Sequence, residues 1–344
     1  MTRLRRYGIM AQANQAQKDW MSLKYGMFIH FGLTTFEGID ECGSGSFPAE
    51  RFDPTELDIA GWAKLAKESG MNYAVLTAKH VDGFCLWPSR FTEYSVKNSP
   101  CQVDVVGEFV REFRKQGLKV GLYYALWDRN FPLYHEDATY AAYMRNQIQE
   151  LLTQYGDLVE LWFDGGWDKE HPTKEWMYDS AWETDPSSGL KHGEVWEWDT
   201  LYQMIHQLQP DCLVANNTSS DRPGAVRYFP VDLRIAERCD YIYQEKVCEA
   251  DSRQTWIKPD GQKVFLPLEY CNTLTPNWYY RHGQDVLHPS HFTIAGWYEK
   301  ARQKNANLLL NVGPDRRGKI PEYHVYYLHK AAEKLGIAKN GLKG

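Results

Sequence analysis

The chain has 344 residues, 43% of them apolar and 24% charged, with a formal net charge of −6. That length suits one large α/β domain or two small ones, and the acidic balance argues against nucleic acid, which asks for a basic face. No stretch reaches the ~20 apolar residues of a membrane span, so neither nucleic acid nor membrane is expected as a partner.

Positions 1–20 carry several early Arg but no continuous apolar run, so no signal peptide is expected. The seven Cys are odd in number, widely spaced and free of any CxxC pair. Reduced thiols in a cytoplasmic protein are expected, and neither a metal nor another cofactor. The 13 Trp, 22 Tyr and 14 Phe are unusually many. Most aromatics pack into cores, but their faces also stack on the apolar C–H faces of sugar rings.

Two kinds of segment alternate along the chain. Short apolar runs rich in β-formers, at 25–31, 73–78, 119–125, 158–163, 212–215, 264–268 and 306–312, predict buried parallel strands. Helical periodicity predicts helices at 57–68, 105–116, 140–155, 200–208, 292–304 and 323–335. Asp104 is placed as an N-cap, and Gly117 and Gly336 as C-terminal stops. Strand and helix in repeated alternation predict a parallel α/β protein. An open doubly wound sheet and a closed barrel both fit. The barrel is favoured because no GxGxxG follows the first strand. The predicted strands also end at or near His30, His80, Tyr124, Asp164, Asn216 and Glu269, as barrel strands do around one active-site face. Regions 167–198 and 218–262 are expected as long loops over that face. The chain ends soon after the last helix, so a single barrel domain over 1–344 is expected, with no C-terminal accessory domain.

Asp164 stands out, in Leu161-Trp162-Phe163-Asp164-Gly165-Gly166. An acid at the C-terminal end of a barrel strand points into the site, and the glycines behind it admit a ligand close to the backbone. His80 and Asp82, in Lys79-His80-Val81-Asp82-Gly83, follow a second strand, and His30 lies at the end of the first, flanked by an apolar run. Imidazoles at such places suit a metal or sugar hydroxyls. Glycoside hydrolysis needs two carboxyl groups, and Glu237, Glu245, Glu249 and Glu269 are candidates for the second.

Assembled, these segments resemble glycoside hydrolase family 29, the α-L-fucosidases, over nearly the whole length. The resemblance rests on Lys24-Tyr25-Gly26-Met27-Phe28-Ile29-His30-Phe31-Gly32, Phe52-Asp53-Pro54, the stretch 76–87, Gly121-Leu122-Tyr123-Tyr124, the segment around Asp164, and Asn307-Leu308-Leu309-Leu310-Asn311-Val312-Gly313-Pro314. It implies an irregular (β/α)8 TIM-like barrel without a C-terminal β-sandwich, and an exo-acting enzyme that releases terminal fucose from oligosaccharides or glycoconjugates with retention. Asp164 then matches the family nucleophile. Glu237, in Asp232-Leu233-Arg234-Ile235-Ala236-Glu237, matches the acid/base, with Glu269 in reserve. Sugar contacts carry over to His30, His80, Tyr124, Trp162 and Trp278. An Arg near the acid/base is expected, with Arg222, Arg227 and Arg234 equal candidates.

The chain departs from the pattern twice. Val81 stands where many members have a second adjacent histidine, and Cys42 follows Glu41 where many have Trp. Glu41 keeps its reach to a hydroxyl, whereas losing the Trp widens the site. A galactose-like substrate therefore competes with fucose. Two other classes are a metal-dependent hydrolase using His30, His80, Asp82 and Asp164, and a sugar-binding protein without turnover. Self-association is left open.

Overall fold

The computed structural model describes residues 12–39, 42–166, 169, 193–217, 223–226, 228–239, 248, 250–253, 255–257, 262–283 and 288–338. Its main sheet contains β1 (Tyr25–Ile29), β2 (Tyr73–Lys79), β3 (Lys119–Ala125), β4 (Glu160–Asp164), β5 (Leu213–Asn216), β6 (Arg234–Glu237), β9 (Leu268–Thr273) and β10 (Asn307–Asn311). They run in the order β5-β4-β3-β2-β1-β10-β9-β6, and every pair is parallel. A parallel bridge from Ala215 to Leu233 joins the two ends of that order, and Asp232 N–H donates to Val214 O at 2.8 Å beside it. The result is a closed eight-stranded (β/α)8-type barrel.

Alternation along the strands divides the apolar side chains into two clusters. Met27, Leu76, Leu122, Leu161, Val214 and Leu310 face outward to the helix layer. Phe28, Val75, Tyr123, Trp162, Ala215, Ile235, Cys271 and Leu309 fill the lumen. Strands buried on both faces need apolar residues at nearly every position, which is why they are legible as continuous apolar runs.

Among the described residues the outer layer consists of α2 (Leu33–Glu37), α3 (Ile59–Glu68), α4 (Val105–Lys115), α5 (Asp137–Gln154), α6 (Trp198–Leu208), α7 (His291–Gln303) and α8 (Glu322–Leu335). Asp104 caps α4 by accepting from Gly107 N–H at 2.9 Å. Gly336 closes α8 with φ of 66°, left-handed backbone that glycine adopts without a steric cost. Among the described residues no helix separates β5 from β6 or β6 from β9. The second gap instead holds a small antiparallel pair, β7 (Trp256–Ile257) with β8 (Lys263–Val264).

Helix α1 (Gln15–Leu23) closes the lower, N-terminal end of the barrel. Gln17 donates to the carbonyls of Asp232 and Phe265 at 2.8 and 3.1 Å. Trp20 donates through Nε1 to Glu160 Oε2 at 2.7 Å. The Tyr73 ring fills the space over Gly26, where a Cβ would lie 2.5 Å from Tyr73 Cζ. A side chain at position 26 would displace that ring.

Two sequence expectations are corrected here. The expected strand at 264–268 is really the end of the small β7–β8 pair plus the start of β9. Region 218–262, expected as one loop, contains β6, whose Arg234-Ile235-Ala236-Glu237 has only two apolar residues and so escapes a hydropathy reading. Of region 167–198, only Lys169 and 193–198 lie among the described residues.

Candidate active site

Asp164 ends β4 on the face shared by Glu160 and Trp162, so it points into the upper lumen. Its Oδ2 accepts from the Tyr123 hydroxyl at 3.2 Å, and its Oδ1 from Gly165 N–H at 2.8 Å. Burial first, and then the nearby Asp164 charge, push the Tyr123 phenol well above its ordinary range. Tyr123 therefore keeps its proton and stays a donor to the carboxylate. Gly165 sits at φ of 67°, against Trp127, where only glycine avoids strain.

Glu237 ends β6 on the face of Ile235, also the lumen face. Between the two acids stands Asn217, directly after β5 and 1% exposed. Its backbone N–H donates to Phe163 O at 2.8 Å, extending the pairing with β4. Its Nδ2 donates to Glu237 Oε2 at 2.6 Å and lies 3.4 Å from Asp164 Oδ1. The two carboxylate oxygens are therefore no farther apart than the sum of those distances, about 6 Å. Retaining glycosidases place the pair about 5–5.5 Å apart, and inverting ones begin near 6.5 Å.

His30 follows β1. Asn311 fixes its tautomer: Asn311 Nδ2 donates to Trp278 O at 2.8 Å and to Thr273 Oγ1 at 2.9 Å, so Oδ1 is the acceptor facing His30 Nδ1 at 2.8 Å. Nδ1 thus carries the proton and Nε2 the lone pair. Burial, and then His80, lower the His30 pKa well below the usual range, so the ring is neutral. Neutral His30 offers an acceptor to a hydroxyl group.

His80 reaches the lumen through an irregularity. The β2–β3 register shifts between Thr77 and Lys79. Lys79 consequently turns outward to Asp128 at 2.7 Å, and His80 turns inward to stack on Tyr123 at 5.3 Å. A bulge that re-aims one side chain is a common device beside functional sites.

Aromatic rings wall the cavity between these groups. Trp162 stacks on Tyr123 at 5.4 Å and meets Phe28 edge-on. Trp278, in the loop after β9, stacks on His30 at 5.0 Å. Arg238 lies over the Trp278 ring, its guanidinium carbon 5.0 Å from the centroid, and donates to Pro276 O at 2.9 Å. Tyr279 meets both histidines edge-on, at 5.5 and 5.2 Å. Val81 and Cys42 also pack on this lumen cluster.

Several expectations need correction. Tyr124 is not in the cavity. It faces outward, donates to Gln147 Oε1 of α5 at 2.6 Å and lies under the Lys79 ammonium; Tyr123 holds the lumen position instead. Glu269 is the second residue of β9, fully buried below Trp162, accepting from Trp162 Nε1 at 3.0 Å and from the Tyr73 hydroxyl at 2.6 Å. A leaving group above Trp162 is out of its reach. Arg234 anchors β6 outward to Leu266 O and Asp251 O; among the described residues Arg238, directly after Glu237, is the arginine that packs on the lumen ring of Trp278. Glu41, Arg222, Arg227, Glu245 and Glu249 lie outside the described residues. The proposed metal set is not assembled either: Asp82 is taken up by Thr34 Oγ1 at 2.8 Å and Phe84 N–H at 3.1 Å, and the described residues hold no group of three His, Cys, Asp or Glu placed for a metal ion.

Asn217, Tyr123, Tyr279 and Arg238 were not singled out by sequence reasoning. For Asn217 a signal existed, since it follows an apolar strand as Asp164 does. For Arg238 the only signal was its place directly after Glu237.

Burial also shapes the lower lumen. Glu160 is held well above the carboxylate range by burial and then by Glu269, and burial raises Glu269 to about 7. A carboxyl group whose pKa rises on folding is favoured in its neutral form. Its destabilising contribution begins above the unfolded value of about 4.5 and is complete above the folded one. Glu269→Gln is expected to raise the melting temperature by a few degrees at pH 8, with the gain shrinking toward pH 5. Thermal melts at both pH values check this, and an equal difference at the two would contradict it.

The family model described as Alpha-L-fucosidase matches residues 44–340. The chain is 30% identical over 342 residues to alpha-L-fucosidase 1 of Arabidopsis thaliana, covering 97% of this chain and 62% of that protein. It is likewise 30% identical to the putative alpha-L-fucosidase 1 of Oryza sativa subsp. japonica, with 94% and 59% covered. A crystal structure of a glycoside hydrolase 29 family member from an unknown rumen bacterium superposes with a TM-score of 0.75 at 30% identity, covering 95% of this chain and 57% of that one. The chain thus spans about three fifths of the length of these relatives. With that match over most of its length, the chain belongs to the α-L-fucosidase family, glycoside hydrolase family 29.

Proposed function

We propose that the protein is a retaining exo-α-L-fucosidase that removes terminal fucose from a fucosylated glycan or glycoside, with Asp164 as nucleophile and Glu237 as acid/base. The observation that carries this reading is the pair of carboxylates bridged by Asn217, with Asp164 Oδ1 and Glu237 Oε2 within about 6 Å of each other, a closeness that fits a retaining pair. In the first step an Asp164 oxygen bonds to the anomeric carbon. The bond to the glycosidic oxygen breaks, and that oxygen takes the Glu237 proton. In the second step Glu237 takes a proton from water, whose oxygen displaces Asp164 from the same carbon. His30, His80 and Tyr123 surround the position of the sugar hydroxyls. Phe28, Trp162 and Val81 give an apolar wall, which favours the methyl group of a deoxy sugar over the hydroxymethyl group of galactose, since a buried hydroxyl needs a partner. Reduced thiols at all seven cysteines fit a reducing compartment such as the cytoplasm.

The test is hydrolysis of 4-nitrophenyl α-L-fucoside against the corresponding galactoside, with the anomer of the first-formed sugar read by NMR. Preference for the fucoside with retained configuration is expected. Inversion, or preference for the galactoside, would overturn the reading.

A further inference from the structure

We propose that Asn217 is a positioning residue that assigns the catalytic proton of Glu237 to Oε1 and holds the two carboxylates at the spacing for double displacement. This rests on the roles proposed above for Asp164 and Glu237. The amide lies between two groups that only accept hydrogen bonds when ionised, so it turns its NH2 toward them. Nδ2 is 2.6 Å from Glu237 Oε2 and 3.4 Å from Asp164 Oδ1.

Consider where a proton on Glu237 can sit. On Oε2 it would face Nδ2, a donor against a donor. Turning the amide over would let its oxygen accept that proton, but would also bring the same oxygen against the Asp164 carboxylate. The nucleophile's charge therefore holds the amide, and the amide excludes the proton from Oε2. The proton is left on Oε1, the oxygen that Asn217 does not occupy. When Glu237 gives it up to the departing oxygen, Oε2 keeps its donor throughout. The strand β5 places Asn217 between β4 and β6, and the Phe163 carbonyl pins its backbone. Burial to 1% exposure keeps water from replacing the amide.

Asn217→Ala and the near-isosteric Asn217→Asp test this, assayed on a series of aryl α-L-fucosides of graded leaving-group acidity. A misassigned proton matters most when the leaving group is poor. For Asn217→Ala, kcat/KM is expected to fall about 100-fold on a phenyl fucoside and much less on a dinitrophenyl fucoside. Asn217→Asp preserves shape but removes the donor and adds a carboxyl group, so it is expected to fall at least as far. If Asn217 only fills space, Asn217→Asp will instead retain near wild-type rates, or all leaving groups will lose equally; either result overturns the proposal. Should the alanine variant not fold, as judged by its melt, the aspartate variant alone decides. Wild-type protein with no turnover of any aryl fucoside would overturn the functional reading and this inference with it, whereas wild-type turnover with an indifferent Asn217 overturns only the inference.

Discussion

Asp164→Gly is expected to lower kcat on an aryl α-L-fucoside by at least about 10⁴-fold, in line with the loss of a nucleophile in other covalent mechanisms. The reason is geometric as well as chemical. Asp164 is the acid that ends β4 on the lumen face, and Tyr123 and Gly165 N–H orient its two oxygens. Among the described residues no neighbouring carboxyl group is placed to take over the bond to the anomeric carbon: Glu237 is on the other side of Asn217, and Glu269 is sealed beneath Trp162. Glycine also opens a space of carboxylate size. Added azide is expected to enter it, restore turnover and yield a fucosyl azide of inverted configuration. Steady-state rates with and without azide check this. Near wild-type turnover of the glycine variant without azide would remove Asp164 from the mechanism.

Glu237→Ala is expected to divide substrates by their leaving groups. Loss of a general acid costs about 10²–10⁴-fold when the departing oxygen needs a proton, and little when the leaving group is already a stable anion. The variant should therefore lose about 10³-fold on a natural-type glycoside and under about 10-fold on dinitrophenyl fucoside in the first step. Equal losses on both would mean that Glu237 supports the site without donating a proton. Glu269→Gln provides the contrast. Its carboxyl group touches Tyr73 and Trp162 in the lower lumen, so its replacement is expected to alter pH-dependent stability and to show no dependence on the leaving group.

The two acids differ in how they could be found. Asp164 follows an apolar strand and precedes two glycines, so its place at a strand end was legible from residue types alone. Glu237 ends a strand of four residues, with Arg at the start and only Ile235 and Ala236 apolar. Nothing in its local hydropathy marks it as a strand, and only the resemblance singles it out from Glu245, Glu249 and Glu269. The β6 backbone is held by neighbours remote in sequence: by β9 along one edge, and by Arg234 reaching Leu266 O and Asp251 O.

What the sequence by itself determined is the alternation of buried strands and amphipathic helices, and with it a parallel α/β fold, because a strand enclosed on both faces must be apolar almost throughout; the closure of the sheet into a barrel appears in the bridge from Ala215 to Leu233. It also determined that Asp164 and the two histidines stand near strand ends. Only the tertiary structure decided which face each strand turns to the lumen. Adjacent Tyr123 and Tyr124 are equivalent in composition, and the phase of alternation, set by the closed sheet, sends the first to Asp164 and the second to Gln147. A register shift in β2 does the same for Lys79 and His80, exchanging the faces that strict alternation would assign. Asn217 acquires its place between two acids only when β4, β5 and β6 lie side by side, a relation among residues 164, 217 and 237 that no local pattern contains.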